Sequence, residues 1–301
     1  MAKLSIHTAT YNRAYILGKA YESLKNQTCK DFEWIITDDG SEDKTESMVK
    51  EWMNNQDNGF DIIYNKLSHV GIPRALNSGV NHSNTEWFMM LDSDDFIKPN
   101  TVELVLKWLS EIKDNKSFAG IGFARSYPNG DYMKKQMPKI DPNIGYVDAS
   151  HIERKLYNLD MDMCEVHRVA VLKKYPFQCW KDEKYAPEQL NFYEMALAGL
   201  KLRWRREKLY ICEYLPDGQT KDDHLVKNNP MGFAMMYNQN ILLSATLKEK
   251  WINTIRMTAL AVYAGHTSYL FTCNAKGIAL VTLPAGIMLA IRRNIQYRKL
   301  K

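Results

Sequence analysis

The sequence lacks the cysteine pattern of a zinc site or of a disulfide framework. Its five cysteines are odd in number, and no two of them form a C-x-x-C pair. Such usage is typical of a protein in a reducing compartment. The first residues, MAKLSIHTATYNR, become polar early and lack the apolar core of a signal peptide. The sequence therefore predicts a cytoplasmic protein.

An uninterrupted apolar run of the roughly 18–20 residues needed to span a bilayer is also missing. The nearest candidate, residues 277–291, contains Pro284 and is followed by the basic segment RRNIQYRKLK. An apolar segment with a basic end is typical of an interfacial membrane anchor. It fits equally well a C-terminal helix docked on the protein with a solvated end. If residues 277–301 bind lipid, the protein is peripheral at the inner face of the plasma membrane.

Clustered positive charge is scarce before the C-terminus. The formal net charge is +5, and no block rich in Lys and Arg is interleaved with aromatic residues. We therefore exclude nucleic acid as a partner. With 301 residues, 45% of them hydrophobic, the chain is long enough to bury a large core.

What the sequence does contain is a regular alternation of short apolar runs and helical patterns over about the first 125 residues. The predicted strands are residues 4–10, 32–37, 60–64, 87–91 and 118–124. Strands alternating with helices predict a Rossmann-like α/β fold, with a mostly parallel sheet flanked by helices. Further on, a helix is predicted over 187–200, two short strands in LRWRR and LYICEYL, and a helical region beyond.

Polar residues follow three of the predicted strands directly. These groups are Thr10-Tyr11-Asn12-Arg13, Asp38-Asp39-Gly40-Ser41 and Asp92-Ser93-Asp94-Asp95. Since ligands of open parallel sheets bind beyond the carboxyl ends of the strands, the pattern predicts one binding site along that edge.

The acidic group at Asp92, Asp94 and Asp95 suits a divalent cation. Mg²⁺ and Mn²⁺ prefer carboxylate oxygens, and such an ion could bridge a diphosphate and neutralise charge on a phosphate leaving group. Without a cation the carboxylates would repel one another and raise each other's pKa. Aspartate clusters also form solvated turns and helix caps, which is the alternative for this segment.

The other two groups suit a nucleotide. A carboxylate of Asp38-Asp39 could accept the imide N–H of uracil, and Tyr11 offers an aromatic face to a base. Arg74, close after Gly71, could pair with a diphosphate. Alternatively, the Asp38-Asp39-Gly40-Ser41 segment only turns the chain and caps the next helix, and Arg74 is solvated.

Taken together, TYNR, DDGS, GIPRALNSG and LDSDD stand in an order that resembles inverting glycosyltransferase family 2, of the bacterial surface-polysaccharide type. The similarity is strong over about residues 3–125 and looser over 126–215. The resemblance implies a GT-A fold, a nucleotide-diphosphate-sugar donor that is usually UDP-linked, and Mn²⁺ or Mg²⁺ as cofactor. The implied acceptor is a glycan or a polyprenyl-linked glycan, as in capsule or O-antigen synthesis.

The resemblance also implies roles for individual residues. Thr8 and Tyr11 would line the nucleoside pocket, Asp39 would contact uracil with Asp38 close by, and Arg74 would approach the base or diphosphate. Asp92 and Asp94 would form the DxD motif, with Asp95 as a further candidate metal ligand. The remaining implied contacts are Thr10, Asn12, Arg13 and Ser93 to the nucleotide-sugar, and His224 to the metal or diphosphate.

The catalytic base is the point at which this chain departs from the family pattern. Inversion needs a carboxylate that removes the proton of the attacking acceptor hydroxyl. Many members carry a Glu-Asp pair at the start of the acceptor-side helix, whereas this chain has Glu188-Gln189. Because Gln189 cannot act as a base, we assign that role to Glu188, with Glu194 in reserve. The alternative for Glu188 is a helix-start glutamate favoured by the helix dipole.

The resulting prediction is a catalytic domain over residues 1–223 and a helical C-terminal region over 224–301. The catalytic domain divides into a nucleotide-sugar-binding half, 1–125, and an acceptor-side half, 126–223. Two other functions compete. A non-catalytic sugar-nucleotide-binding or assembly protein would explain Gln189, and a sugar-1-phosphate nucleotidyltransferase would share the α/β sheet. The second would need a Gly-rich phosphate loop after the first strand, and no glycine occurs there before Gly18.

Overall fold

The computed structural model describes residues 2–134, 136–213 and 224–299. The chain forms two compact units. The first comprises Met1–Phe177 and Asn191–Leu215, and the second comprises Gln178–Leu190 and Pro216–Lys301. The domain boundary predicted at residue 223 lies outside the described residues, so that division stays a prediction.

The first unit is built on a nine-stranded sheet in the order β3-β2-β1-β4-β8-β6-β9-β5, with β7 paired to β9. The strands are β1 Leu4–Thr10, β2 Phe32–Asp38, β3 Asp61–Lys66, β4 Trp87–Met90, β5 Phe96–Ile97, β6 Phe118–Ser126, β7 Tyr146–Ala149, β8 Met163–Arg168 and β9 Lys201–Ile211. The predicted α/β fold is confirmed, but the sheet is mixed and not mostly parallel, because β5, β7 and β8 pair antiparallel with their neighbours. The sheet is parallel across β3, β2, β1 and β4, whereas β8 runs antiparallel between β4 and β6.

Strand β9 corrects the prediction of two short strands in LRWRR and LYICEYL. One continuous strand runs over Lys201–Ile211 and pairs with β6, β7 and β5 in turn. Its charged middle looked like a break in the sequence. That middle is Glu207–Lys208. In the structure Lys208 donates to the carbonyl of Gly130 and lies over the Tyr132 ring, so the strand continues through the charged residues.

Helices cover both faces of the sheet. In the first compact unit these are α1 Gly18–Lys25, α2 Thr45–Met53, α3 Ile72–His82, α4 Thr101–Ser110 and α5 Val169–Lys174, and most of α6 Gln189–Leu197. The second compact unit contains α7 Leu225–Asn228, α8 Pro230–Leu243, α9 Leu247–Tyr263 and α10 Lys276–Lys299. One apolar cluster joins α1, α2 and α4 to the strands, and a second joins α3 and α5 to them. Both β2 and β4 are buried along their whole length, and burial on both faces explains why β4 is entirely apolar.

Helix α3 approaches β1 closely because it has no side chain at Gly79. A Cβ atom placed there would lie 2.1 Å from Cδ2 of His7, in the middle of β1. His7 is buried, donates or accepts a hydrogen bond at Thr37 Oγ1 (3.0 Å), and stacks on Phe88. Burial lowers the pKa of His7 to about 3, so the imidazole is neutral in the folded protein.

Helix α10 runs unbroken through Pro284, which corrects the expectation that this proline interrupts the apolar segment. Its buried side carries the small residues Ala279, Thr282, Gly286 and Ala290. Gly286 packs on Thr258 of α9 so closely that a Cβ atom would come within 2.4 Å. Exposed apolar side chains are Leu280, Val281, Ile287, Met288, Ile291 and Ile295. By length and composition alone, α10 is the one helix in the described part of the chain that could cross a membrane.

Candidate functional site

Three loops meet at one edge of the sheet because β1 lies between β2 and β4 and runs parallel to both. The N–H of Asp39 donates to the carbonyl of Thr10 (2.8 Å), and the N–H of Leu91 donates to the carbonyl of His7 (2.8 Å). The segments after the three strands are therefore neighbours, and we call this the carboxyl edge.

Asp38 is fully buried at this edge, and both of its carboxylate oxygens are engaged. Oδ1 accepts the backbone N–H of Ser41 (2.7 Å), and Oδ2 accepts the hydroxyl of Tyr64 (2.5 Å). Burial, followed by the hydrogen bond to Asp38, raises the pKa of Tyr64. The contacts of Asp38 tie the turn after β2 to β3.

Asp39 turns back toward the start of α3. Its Oδ1 accepts the N–H of Val70 (2.7 Å), and its Oδ2 accepts the N–H of Gly71 (2.9 Å). Both donors precede α3, so the carboxylate fixes the entry into that helix. Only 5% of the residue is exposed.

Tyr11 is the exposed aromatic residue of the carboxyl edge, with 42% of its surface accessible. One face of its ring is stacked on the imidazole of His69, with centroids 4.1 Å apart and planes inclined by 20°. His69 has a positive φ of 58°, in the left-handed region that a non-glycine residue seldom adopts.

The other residues expected in the nucleoside pocket take different positions. Thr8 is fully buried, and its hydroxyl accepts the indole N–H of Trp34 (3.0 Å). Thr10 is also buried, and its hydroxyl makes no hydrogen bond within the part of the chain that the structure describes. Asn12 joins two loops, since its N–H donates to Ser41 Oγ and its Oδ1 accepts the N–H of Glu42.

The two arginines of this region make local contacts. Arg13 donates from Nη1 to the hydroxyl of Tyr15 (2.6 Å). Arg74 donates from Nη1 to the carbonyl of Val70 (2.8 Å), at the start of α3. Arg74 thus lies beside the segment that Asp39 caps.

The segment Asp92–Asp95, here called the acidic loop, follows β4. Asp92 is half exposed, and its Oδ2 lies 2.7 Å from Nη1 of Arg125, while Asp95 Oδ2 lies 3.8 Å from the same nitrogen. The N–H of Asp92 donates to the hydroxyl of Tyr210 (2.7 Å). The Arg125 guanidinium stacks over the Tyr210 ring, 4.2 Å from its centroid.

The buried end of the acidic loop is Asp95. Its Oδ1 accepts the N–H of Glu213 (3.2 Å). Burial, and then the charge of Asp92, raise the pKa of Asp95 to about 7, although the Arg125 charge acts in the opposite direction. The Asp95 carboxyl is therefore less readily ionised than that of an ordinary aspartate.

These carboxylates fit a divalent cation in donor type and in charge. Asp92, Asp94 and Asp95 offer hard oxygen donors. Burial is the main cause of the raised pKa of Asp95 and the charge of Asp92 is the second, and a bound cation would offset both. Asp92 and Asp95 both approach Nη1 of Arg125. Across residues 2–134, 136–213 and 224–299, no three His, Cys, Asp or Glu side chains form a ready metal cage. His224, at the start of α7, belongs to the second compact unit.

Glu188 and Gln189 stand at the start of α6. Glu188 is half-buried and directly precedes the helix, and it lies in the second compact unit, whereas the acidic loop lies in the first. Gln189 donates from Nε2 to Oδ1 of Asn240 (2.7 Å), so its amide makes a contact that holds α6 to α8. Burial, followed by the charge of Glu188, raises the pKa of Tyr185 to about 12. The role of Glu188 as a base stays a prediction.

Three residues of the carboxyl edge were missed in the sequence: His69, Arg125 and Tyr210. Arg125 follows directly after the strand predicted over 118–124, and a cation at a strand end was a signal that could have been used. Tyr210 comes from β9 and His69 from the loop before α3. Neither belongs to a polar group immediately after one of the first strands.

Comparison with known proteins gives one family. The model of glycosyl transferase family 2 matches residues 5–175. A Campylobacter jejuni relative, GalNAc(5)-diNAcBac-PP-undecaprenol beta-1,3-glucosyltransferase, is 32% identical over 97% of this chain and 93% of its own length. The minor teichoic acid biosynthesis protein GgaB of Bacillus subtilis is 31% identical over 39% of this chain. The aligned region covers 13% of GgaB.

Solved structures share the fold. S. aureus TarS 1–349 in complex with UDP-GlcNAc superposes with a TM-score of 0.64 at 16% identity, over 96% of this chain and 81% of that one. The Pyrobaculum calidifontis mannosyltransferase PcManGT, in complex with GDP-Man and Mn²⁺, gives a TM-score of 0.52 at 14% identity, over 97% and 87% of the two chains. The predicted GT-A fold is thereby confirmed.

Proposed function

The chain belongs to glycosyl transferase family 2 and is a glycosyltransferase, and we propose that it transfers one sugar from a UDP-sugar, with inversion, to a hydroxyl of a glycan or polyprenyl-linked acceptor. One observation carries the proposal. An exposed aromatic ring, a buried carboxylate and a partly exposed acidic loop meet at the ends of β1, β2 and β4. The aromatic ring suits stacking on a base, and the buried carboxylate suits the imide N–H of that base. The acidic loop suits the metal ion that would accompany the diphosphate.

The donor binds along the carboxyl edge. Tyr11 stacks on the nucleobase, and Asp39 accepts the imide N–H with a lone pair left beside its two backbone contacts. The diphosphate lies toward the acidic loop, with Arg74 close to the start of α3. A uridine donor is favoured because Asp39 presents an acceptor, and because the TarS structure of the same fold contains UDP-GlcNAc.

Asp92, Asp94 and Asp95 would hold the cofactor. When bound, Mn²⁺ or Mg²⁺ would neutralise the charge that develops on the diphosphate leaving group. The related mannosyltransferase structure contains Mn²⁺, which supports manganese as the first ion to test. Arg125 orients Asp92 from the opposite side of the loop.

Glu188 is the proposed base. The acceptor oxygen attacks the anomeric carbon, the bond from that carbon to the phosphate oxygen breaks, and the hydroxyl proton passes to the Glu188 carboxylate. The nucleoside diphosphate leaves with the bonding electron pair. Gln189 cannot take this proton, and its amide is engaged with Asn240.

The acceptor is proposed to be lipid-linked, and the protein to act at the inner face of the plasma membrane. The C. jejuni relative is named for an undecaprenol-linked acceptor. Helix α10 presents exposed Val281, Met288 and Ile295 opposite its buried side, with Ile291 beside them. Arg292 and Arg298 follow near its end. An exposed apolar stripe with basic neighbours suits an anionic lipid surface.

Vesicle co-sedimentation tests the membrane partner. The wild-type chain should sediment with vesicles containing anionic lipid and less with purely zwitterionic ones. Met288→Glu with Ile291→Glu should abolish sedimentation, because each places a charge in the apolar stripe. Leu242→Glu in α8, which also replaces an exposed leucine, is the matched control. Equal sedimentation of both variants would contradict the proposal.

A thermal-shift panel tests the donor site. UDP-, GDP- and dTDP-sugars are each added with Mn²⁺ and with a chelator, because a ligand that binds the native state raises the melting temperature. We expect a Mn²⁺-dependent increase with UDP-sugars that Asp92→Asn removes. No metal-dependent response to any of the three would overturn the proposal.

The base is tested separately with Glu188→Gln. If Glu188 takes the proton, this variant should bind UDP as the wild type does and lose roughly 10²–10⁴-fold in turnover. Glu194→Gln, which replaces the reserve candidate within α6, is measured in parallel and should keep wild-type turnover if Glu188 is the base. Wild-type turnover by Glu188→Gln would remove Glu188 from the mechanism without affecting the donor site.

A further inference from the structure

The imidazole of His69 makes both of the contacts proposed for the nucleobase. It stacks on Tyr11 with centroids 4.1 Å apart. Its Nδ1 lies 3.2 Å from the carbonyl oxygen of Asp39 and 3.3 Å from Oδ2 of the same residue. A uracil ring bound here would also stack on Tyr11 and direct an N–H at Asp39.

The hydrogen on the His69 ring can be assigned from its neighbours. Both atoms next to Nδ1 are oxygen acceptors that belong to Asp39, a carbonyl and a carboxylate. A neutral imidazole with two acceptors beside one nitrogen carries its hydrogen on that nitrogen. Nδ1–H is therefore a donor directed at Asp39, as the imide N–H of uracil would be.

The two rings compete for the same face of Tyr11. A base that donates to Asp39 must lie within hydrogen-bond distance of its carboxylate. If it also stacks on Tyr11, it uses the face from which Asp39 can be reached, and that face is covered by the imidazole. The base and the imidazole cannot occupy this space together.

The backbone around His69 is fixed independently of its side chain. Asp39 accepts the N–H groups of the next two residues, Val70 and Gly71, and Gly40 packs against the N atom of His69. The side chain is 39% exposed, so solvent is available to receive it. Rotation about the His69 side-chain bonds alone can clear the Tyr11 face.

We propose that the His69 imidazole occupies the nucleobase position in the ligand-free protein and rotates out when the nucleotide binds. This rests on the proposed function, since it requires the base to stack on Tyr11. The imidazole keeps the base position formed without nucleotide. It also lowers the apparent nucleotide affinity, because only the fraction of molecules with the imidazole rotated out can bind.

Calorimetric titration of the full chain with UDP and Mn²⁺ tests the inference. His69→Asn removes the ring and suits the positive φ, because Asn tolerates the left-handed region. We expect it to bind UDP roughly three- to ten-fold more tightly than the wild type, which corresponds to losing one modest stacking contact with its hydrogen bond. Equal or weaker binding by a variant that melts as the wild type does would overturn the inference.

Tyr11→Ala separates this inference from the proposed function. In both the wild-type and the His69→Asn background it should weaken UDP binding. If UDP binds and Tyr11→Ala has no effect, the base lies elsewhere and the His69 inference fails, while the donor site survives. If neither the wild type nor His69→Asn binds UDP, GDP or dTDP with Mn²⁺, the proposed donor site itself fails.

Proton NMR of the wild-type chain is a second measurement, in which the His69 ring is observed directly. The ring protons of His69 should be shifted upfield by Tyr11 in the free protein and should move downfield when UDP saturates the site. Assignment uses the missing signal of His69→Asn. Mg²⁺ is the ion in these titrations, because paramagnetic Mn²⁺ would broaden the signals. Pyrophosphate with Mg²⁺, which has no base, should leave the signals in place. His69 signals that do not respond to saturating UDP would contradict the exchange.

Discussion

Two acidic segments lie at the carboxyl edge, on either side of β1, and the protein binds their carboxylates by different means. Asp38 and Asp39 accept hydrogen bonds from backbone N–H groups and from a tyrosine hydroxyl. Asp92 and Asp95 share the guanidinium of Arg125, and in the described part of the chain only Asp95 also accepts a backbone N–H, that of Glu213. The first pair uses its charge to order loops. The second pair depends on one cationic side chain, so similar sequences at two strand ends of one sheet have different surroundings.

The largest effect should come from the acidic loop. Asp92→Asn keeps the shape and removes the charge, and we expect kcat/KM to fall by roughly 10²–10³-fold because charge on the leaving diphosphate is no longer balanced. UDP release from a UDP-sugar with Mn²⁺ is the measurement. Asp57→Asn, at an exposed aspartate, is the control. Activity within ten-fold of the wild type would place the metal elsewhere.

Replacing Arg125, whose guanidinium pairs with Asp92 and Asp95, should have the next largest effect. Arg125→Met leaves two carboxylates without their buried counter-charge, so the free energy of unfolding should fall by about 3 kcal/mol in a chelator. Added Mn²⁺ should recover part of this loss, since the ion binds the same oxygens and stabilises the native state. Urea unfolding with and without Mn²⁺ measures both.

The matched control for this experiment is Arg168→Met. Arg168 also stacks on an aromatic ring, that of Trp87, and pairs with Glu86, but it lies at the other end of β4 and β8. Mn²⁺ should leave the free energy of unfolding that Arg168→Met loses unchanged. An equal Mn²⁺ effect on both variants would mean that the metal acts generally and not at the acidic loop.

Loss of the Asp38 carboxylate should be smaller and independent of metal. Asp38→Ala leaves the Ser41 N–H and the Tyr64 hydroxyl without their acceptor, which should cost about 2 kcal/mol of stability. Urea unfolding should give the same value with Mn²⁺ and with chelator. Recovery of stability by Mn²⁺ would show that the two segments share one ion, and would remove the distinction between them.

The smallest effect is expected from pH. The pKa of Asp95 is raised to about 7 in the folded chain, above the ordinary value of about 4. The folded state therefore binds the proton more tightly than the unfolded state, and stability should fall as pH rises from about 4 to about 7. In chelator, this should lower the free energy of unfolding by at least about 1 kcal/mol between pH 5 and pH 8.

Asp95→Asn should remove that part of the pH dependence, because its amide does not titrate in this range. Asp131→Asn, at an exposed aspartate on the loop after β6, is the control and should keep the wild-type slope. A wild-type slope in Asp95→Asn would assign the pH effect to other groups.

The parallel half of the fold could be predicted from the sequence because its signals are local. The apolar runs that became β1, β2 and β4 were each bounded by polar turns, and the edge they share follows from their direction. The antiparallel insertion of β8 could not be predicted. It depends on which strand edge is vacant after β4 has paired with β1, and that information is not local.

The same distinction applies to the site. The carboxylates directly after β2 and β4 were predicted, since position along one strand places them at the edge. That Asp39 is bonded to Val70 and Gly71, and that Arg125 reaches Asp92, depends on contacts between segments about 30 residues apart. Sequence alone therefore found the acids but not which of them would be neutralised by the backbone.

The contact of Gly79 with His7 also determines where the loop before α3 lies. The bare backbone of α3 rests on the β1 imidazole, and two turns earlier the same helix begins at the N–H groups that Asp39 accepts. A methyl group at residue 79 would lift the helix and tilt its first turn, so the loop would move without any change in the loop itself. The position of the loop that Asp39 binds therefore depends on a residue without a side chain on the far side of the helix.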